Sequence, residues 1–143
     1  MKNKNIKSKN GFTLIEILVA MTIVAVLVSI SLVSLQGARK VARDGKRKAD
    51  LEQIRSALEI YRSEVKTYPG SVNFGGSLES SGNVYLDLVP NDPLSGIYTY
   101  VYTQNSSNSY TLCSYLETSS SPQVCGDCII GTSNSCYYKV TNH

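Results

Sequence analysis

The sequence predicts an α+β fold, in which a long N-terminal helix packs on a small antiparallel β-sheet. Three observations predict it. Residues 12–35 form an apolar run with a single charged residue, no proline interrupts residues 12–66, and short tyrosine-rich runs with alternating polarity follow residue 84. At 143 residues the chain has room for one small domain and an anchor.

The apolar run is long enough to cross a membrane. As a helix, residues 12–35 would extend about 36 Å, against about 30 Å for a bilayer core. Its one charged residue, Glu16, would cost roughly 2.5–3.5 kcal/mol at mid-bilayer and less near the edge. An ionisable group inside a membrane span indicates a function. Four hydroxyl residues further along the run can bond to helix carbonyls or across helices: Thr22, Ser29, Ser31 and Ser34.

The segment Gly11-Phe12-Thr13-Leu14-Ile15-Glu16 follows a lysine-rich leader. It resembles the class III signal of type IV pilins and type II secretion pseudopilins. The resemblance implies that a prepilin peptidase removes residues 1–11 by cutting between Gly11 and Phe12, and that the new Phe12 amine is N-methylated. It also implies that Glu16 serves subunit assembly by meeting the N-terminal amine of a neighbouring subunit. A carboxylate in lipid needs such a cation.

The resemblance further implies a structural protein and not an enzyme. Its partners would be other copies of the chain in a helical filament, the prepilin peptidase, an assembly ATPase and an inner-membrane platform protein. Before assembly the chain would sit in the bacterial cytoplasmic membrane, with residues 36–143 outside the cytoplasm. After assembly it would form an extracellular or periplasmic filament.

Two other interpretations compete for residues 1–35. A secretory signal peptide would have an apolar core of about 7–15 residues and a small-x-small cleavage site, which is lacking at a suitable position. A plain signal anchor would instead give a single-pass extracellular binding domain that does not polymerise. Charge does not decide the topology, because lysines precede the span and a basic block follows it. The cleavage motif is what favours placing residues 36–143 outside.

The second half of the helix is amphipathic. Its apolar positions recur at spacings of three and four, at Leu51, Ile54, Leu58, Tyr61 and Val65. Gly37 and Gly45 are the weakest helical positions, and Tyr68-Pro69-Gly70 is expected to end the helix. Residues 38–69 are similar to the helix and exit turn of major pseudopilins and minimal bacterial pilins. Many of those proteins carry proline where this chain has Val33.

Residues 39–48 are basic. We expect them to form a solvated or headgroup-facing collar, in which Asp44 pairs with Lys48 and Asp50 with Lys46. A DNA-binding stripe is the weaker interpretation, because no aromatic residues are interleaved for stacking. Loss of the four leader lysines takes the net charge from +3 to −1. The sequence therefore predicts no nucleic-acid partner.

Polarity patterns predict four strands, Tyr85–Val89, Ile97–Thr103, Ser109–Leu116 and Cys136–Thr141. Residues 70–83 and 117–135 are expected to be loops, and Asn105–Asn108 a hairpin turn. The segment Pro90-Asn91-Asp92-Pro93 resembles the turn before a Tyr-x-Tyr strand in major pseudopilins. That turn favours a secretion pseudopilus, whereas the absent proline favours a pilus, so the kind of filament stays open.

Four cysteines lie close together, Cys113, Cys125, Cys128 and Cys136. Outside the cytoplasm this even number favours two disulfides that hold the 117–135 loop against the strands, and three pairings are open. Pairing Cys125 with Cys128 is the least favourable because the loop would be strained. A tetrathiolate zinc site or a redox-active C-x-x-C are the alternatives; zinc sites favour two C-x-x-C pairs, and this chain has one.

Major pseudopilins bind calcium in a loop near the C-terminus, so we consider Asp92, Glu117 and Asp127. Calcium takes six to eight oxygens, often from carboxylates in one loop, and these three are scattered. The sequence therefore favours ordinary surface carboxylates, with no metal and no cofactor. The single histidine, His143, is terminal, and a fraying terminus makes a poor general base.

Overall fold

The computed structural model describes residues 11–121, 128–129 and 136–142, apart from the side chains of residues 32–34. The chain divides into two compact units, Met1–Ala38 and Arg39–His143. We call the second the C-terminal unit. The predicted α+β class is confirmed, since one long helix is followed by short antiparallel strands.

Helix α1 runs from Leu14 to Val65, which confirms the predicted continuous helix over residues 12–66. Gly37 and Gly45 do not interrupt it. The helix ends at Lys66, whose backbone adopts a left-handed conformation (φ 67°) and whose N–H donates to the Arg62 carbonyl at 2.9 Å. Such a residue commonly closes a helix, because its N–H satisfies a terminal carbonyl.

The strands form two small sheets. Strands β1 (Leu78–Ser80) and β2 (Asn83–Leu86) make an antiparallel pair. Strands β3 (Val101–Ser106), β4 (Ser109–Ser114) and β5 (Tyr138–Thr141) make an antiparallel sheet in the order β3-β4-β5. Val101 pairs with Cys113 in the first ladder, and Leu112 pairs with Val140 in the second.

Several strand boundaries differ from the prediction. The predicted strand Ile97–Thr103 starts only at Val101, because the amides of Ile97 and Tyr98 both bond to the Leu94 carbonyl in a helical turn. Strand β2 lies earlier than predicted and ends at Leu86, and β1 forms within the segment predicted to be a loop. The hairpin turn is tighter than predicted, with only residues 107–108 between β3 and β4.

One hydrophobic core joins α1 to both sheets. Leu51, Ile54 and Leu58 have no exposed surface, and Tyr61 packs against the same cluster. Complete burial of such a leucine or isoleucine is worth about 1.5–3 kcal/mol. The predicted apolar helix face is therefore confirmed. Its partners within the core come from the loops and strands, namely Tyr68, Leu78, Val89, Tyr100, Tyr110, Leu112 and Val140.

Candidate functional site

The first candidate site is the apolar part of α1. This part of the helix is apolar and long enough to cross a membrane, and none of its most apolar 18-residue stretch is buried within the described part of the chain. Large apolar side chains from Phe12 to Ile30 are between 47% and 83% exposed. Burying so many exposed apolar groups in lipid or against other helices is strongly favourable. The exposed apolar surface of this segment therefore favours membrane anchoring.

Three hydroxyl side chains in this segment donate hydrogen bonds to backbone carbonyls of their own helix. The Thr22 hydroxyl donates to the Val19 carbonyl at 2.7 Å, and the Ser29 hydroxyl donates to the Ala25 carbonyl at 2.8 Å. The Ser31 hydroxyl makes the same kind of bond, to the Leu27 carbonyl. These bonds confirm the expected pattern, while the side chain of Ser34 lies outside the described part. Glu16 is the one ionisable side chain between residues 12 and 35.

Glu16 also caps the start of α1. Its carboxylate accepts hydrogen bonds from the Thr13 amide and the Thr13 hydroxyl, both at 2.8 Å. In return, the Glu16 amide donates to the Thr13 hydroxyl at 3.3 Å. This reciprocal arrangement is a capping box, whose sequence signature is Thr-x-x-Glu. It holds the carboxylate within one turn of Phe12, and sequence reasoning missed it.

The second candidate site is a cluster of charges in the C-terminal unit, which we call the Arg47 cluster (Arg43, Arg47, Asp44, Asp92 and Glu117). Arg47 is completely buried. Its guanidinium donates to both carboxylate oxygens of Asp92, at 2.7 and 3.1 Å, and to Asp44 and Glu117, each at 2.8 Å. The same guanidinium lies 5.0 Å from the ring centre of Tyr98, in cation–π range.

The outer side of the Arg47 cluster links α1 to the segment after β4. Arg43 forms a bidentate pair with Glu117, at 2.7 and 2.6 Å. Asp44 accepts from the amides of Glu117 and Thr118, each at 2.9 Å, and from the Thr118 hydroxyl at 2.7 Å. Asp44, Arg47 and Asp92 are therefore buried but paired, as buried charges must be.

This geometry corrects two predictions. The basic block is not a solvated collar throughout, because Arg47 is buried and Arg43 is half-buried, although Arg39, Lys40, Lys46 and Lys48 are exposed. The predicted helix pairs are also wrong: Asp44 pairs with Arg47, and the buried Asp50 accepts from the Tyr100 hydroxyl at 2.8 Å. The reason is that the apolar face of α1 begins a turn earlier than expected, so side chains there face the domain.

The candidate calcium carboxylates are likewise not ordinary surface groups. Asp92 is 5% exposed, and the Glu117 side chain is 9% exposed. Both carboxylates form ion pairs with arginine guanidinium groups. Asp127 lies outside the described residues. Within the described parts of the chain, no group of three acidic, histidine or cysteine residues is arranged to hold a metal ion.

Comparison with known proteins decides the family. Residues 6–32 match the prokaryotic N-terminal methylation motif, and residues 34–122 match the family described as type II secretion system (T2SS), protein G. The second match covers more than half of the chain. The chain belongs to the type II secretion protein G family. This pseudopilin family consists of structural subunits of secretion filaments and is not a family of enzymes.

Several curated relatives are named type II secretion system core protein G. The one from Klebsiella michiganensis is 29% identical over 106 residues, which cover 66% of this chain and 75% of the relative. The Dickeya chrysanthemi protein is 27% identical over 106 residues, which cover 66% of this chain and 69% of the relative. The Vibrio cholerae protein is 25% identical over 108 residues, which cover 68% of this chain and 74% of the relative. No solved structure matches the chain significantly.

The pseudopilin's cysteines are disulfide-bonded where the structure describes them. Cys128 and Cys136 form a disulfide and are both completely buried, and Cys113 is also disulfide-bonded. Cys125 lies outside the described residues. The Cys128–Cys136 bond confirms that the cluster contains a disulfide, and the alternatives of a tetrathiolate zinc site and a Cys125–Cys128 redox pair are wrong because Cys128 bonds to Cys136. This disulfide fixes residue 128 to the segment that leads into β5. The pairing of Cys125 stays a prediction.

Acid is expected to weaken the pseudopilin's C-terminal unit through the Arg47 cluster. Hydrogen bonds from Arg43 hold the pKa of Glu117 below its ordinary value. Burial would raise the pKa of Asp44, but hydrogen bonds from Thr118, Glu117 and Arg47 hold it below its ordinary value. A carboxylate whose pKa is lower in the folded chain stabilises the fold above its unfolded pKa, about 4, and loses that contribution as pH falls.

The melting temperature of the full-length chain in detergent is thus expected to stay level from about pH 7 to 5 and to fall below about pH 4. Near-ultraviolet circular dichroism of the tyrosines would follow unfolding. The Glu117→Gln variant should show a shallower acid decline than Glu79→Gln, a control at an exposed glutamate. An equally steep decline in both variants would contradict the assignment.

Proposed function

We propose that this chain is a prepilin whose processed form is a structural subunit of a type II secretion filament and polymerises through its apolar helix. The observation that carries the proposal is Glu16. It is a single carboxylate, held one turn from Phe12, at the start of an exposed apolar helix. The methylation motif over residues 6–32 supports the same assignment.

The first step is processing. A prepilin peptidase cleaves between Gly11 and Phe12 and removes the leader, residues 1–11. The Phe12 amine that this exposes is N-methylated and remains cationic. Gly11 is exposed, and a Cβ added there would meet no atom within 4 Å. The cleavage site is therefore open to a protease without rearrangement of the described chain.

The second step is assembly. Residues 12–35 anchor the processed chain in the cytoplasmic membrane, with residues 36–143 outside, and then pack side by side with the same helix of other copies. The Glu16 carboxylate of one copy pairs with the Phe12 amine of its neighbour, which sets the stagger between subunits. Water is scarce in such a bundle, so a charge with no partner there would be costly. An assembly ATPase and an inner-membrane platform protein would drive this step.

The experiment that tests this function is N-terminal mass spectrometry of the chain coexpressed with a prepilin peptidase, followed by electron microscopy of sheared fractions with the assembly machinery present. We expect a methylated Phe12 N-terminus and filaments that contain the chain. An intact Met1 terminus in a membrane-bound monomer would instead favour the single-pass binding domain that does not polymerise.

Replacing Gly11 with alanine is expected to block leader removal. The added methyl group disturbs no contact of the chain itself, so any effect must come from the peptidase. Gly37→Ala is the matched control, because its Cβ also meets nothing within 4 Å and alanine favours a helix by about 1 kcal/mol. Immunoblots should show the longer precursor for Gly11→Ala and normal processing for Gly37→Ala; normal processing of both would refute the cleavage site.

A further inference from the structure

The carboxylates of the Arg47 cluster already accept hydrogen bonds at both of their oxygens. Asp92 accepts three hydrogen bonds, two from the Arg47 guanidinium and one from the Leu94 amide. Glu117 accepts three, all from guanidinium groups. Asp44 accepts four, spread over both of its oxygens. Each of the six carboxylate oxygens thus already accepts at least one hydrogen bond.

A calcium ion does not fit this arrangement. It requires six to eight oxygen ligands at 2.3–2.6 Å. Asp92 and Glu117 each accept three hydrogen bonds, which leaves about one of the four lone-pair positions of each carboxylate for a metal. To take more ligands from them, calcium would have to displace guanidinium donors that are themselves charged. It would also sit beside the buried Arg47, whose guanidinium would repel it in a poorly screened environment. Two of the three carboxylates considered as calcium ligands, Asp92 and Glu117, are therefore paired with arginine instead.

We propose that the Arg47 guanidinium acts as the built-in cation of this cluster, so that the C-terminal unit folds and remains stable without a divalent metal. It joins three parts of the chain that are distant in sequence. Arg47 comes from the helix, Asp92 from the turn that precedes β3, and Glu117 from the segment that follows β4. Burial would lower the pKa of Arg47, but its carboxylate partners raise it, so the cation is permanent.

The test uses the full-length chain in detergent and measures the melting temperature by tyrosine circular dichroism. A calcium site filled at about a hundred times its dissociation constant would raise the melting temperature by roughly 10–20 °C. We expect equal melting temperatures in EGTA and in millimolar CaCl₂. A clear rise with CaCl₂ would overturn the proposal. This readout does not require filaments, so it can fail or succeed independently of the proposed function.

A second experiment tests whether Asp92 stabilises the fold by pairing with Arg47 or by binding a metal ion. The Asp92→Asn variant should lower the melting temperature by the same amount in EGTA and in CaCl₂, because it weakens a pair that involves no metal. Asp87→Asn is the matched control, since Asp87 is exposed, and should leave the melting temperature unchanged in both buffers. If Asp92→Asn lowers the melting temperature only in CaCl₂, Asp92 binds calcium and the proposal is overturned.

Discussion

Replacing Arg47 with methionine is expected to destabilise the C-terminal unit by about 3–5 kcal/mol, because removal of one partner leaves buried charges uncompensated. Methionine is long enough to fill much of the space that the aliphatic part of arginine occupies, so the loss reports mainly on charge. Asp44 and Asp92 would lose their only ion-pair partner within the described residues. For a unit of this size the melting temperature should fall by more than about 10 °C.

Lys46→Met is the matched control for that experiment. It removes the same positive charge from the same helix, one residue away, but Lys46 is exposed. Exposed charges typically contribute about 0–1 kcal/mol, so its melting temperature should change little. The melting temperature of Arg47→Lys should lie between those of Arg47→Met and Lys46→Met, because an ammonium keeps the charge but cannot reproduce the bidentate contact with Asp92. Equal stability of Arg47→Met and Lys46→Met would contradict the structural role given to the Arg47 cluster.

Replacing Glu16 with alanine is expected to allow processing and membrane insertion but to abolish filaments. The substitution removes the only charged side chain in the span, so insertion becomes more favourable. The neighbouring Phe12 amine would then be buried without a partner at every subunit contact. A cost of roughly 3 kcal/mol or more per contact corresponds to a factor of more than about 100 in association.

Ser29→Ala is a suitable control, since it removes a polar group from the same span, a hydroxyl that donates to the Ala25 carbonyl of its own helix. Immunoblots for leader removal and electron microscopy of sheared fractions measure the two effects separately. We expect the Ser29 variant to be processed and to assemble normally, and the Glu16 variant to be processed only. Filaments of normal abundance from Glu16→Ala would refute the assembly role.

The periodicity of apolar residues predicted the fold well, because helix burial follows a regular spacing. It placed Leu51, Ile54 and Leu58 in the core, and their complete burial confirms this. The short strands were harder to predict, because sheet pairing depends on partners that are distant in sequence. Strand β1, for example, lies in a Gly/Ser-rich segment, and only Leu78 in it is buried.

The Arg47 cluster could have been found from the sequence. Arg47 lies four residues before Leu51, so the spacing that defines the apolar face continues through it. An arginine on such a face, with Asp44 one turn earlier, indicates a buried ion pair. What the sequence could not provide was the identity of the distant partners, because Asp92 and Glu117 reach Arg47 only through the tertiary fold.

The capping box was also visible in the sequence as Thr13-x-x-Glu16, and it gives Glu16 a second role that must be separated from assembly. Alanine removes both the cap and the charge. Glutamine keeps an oxygen that can accept the Thr13 hydrogen bonds but carries no charge. Glu16→Gln is therefore the variant that isolates the charge.

Electron microscopy of sheared fractions from cells that express Glu16→Gln is the most direct test of the central claim, that a negative charge in one subunit pairs with the N-terminal amine of the next. We expect a chain that loses residues 1–11, carries a methylated Phe12 and forms no filaments. Filaments from this uncharged variant at the abundance of the unaltered chain would contradict it.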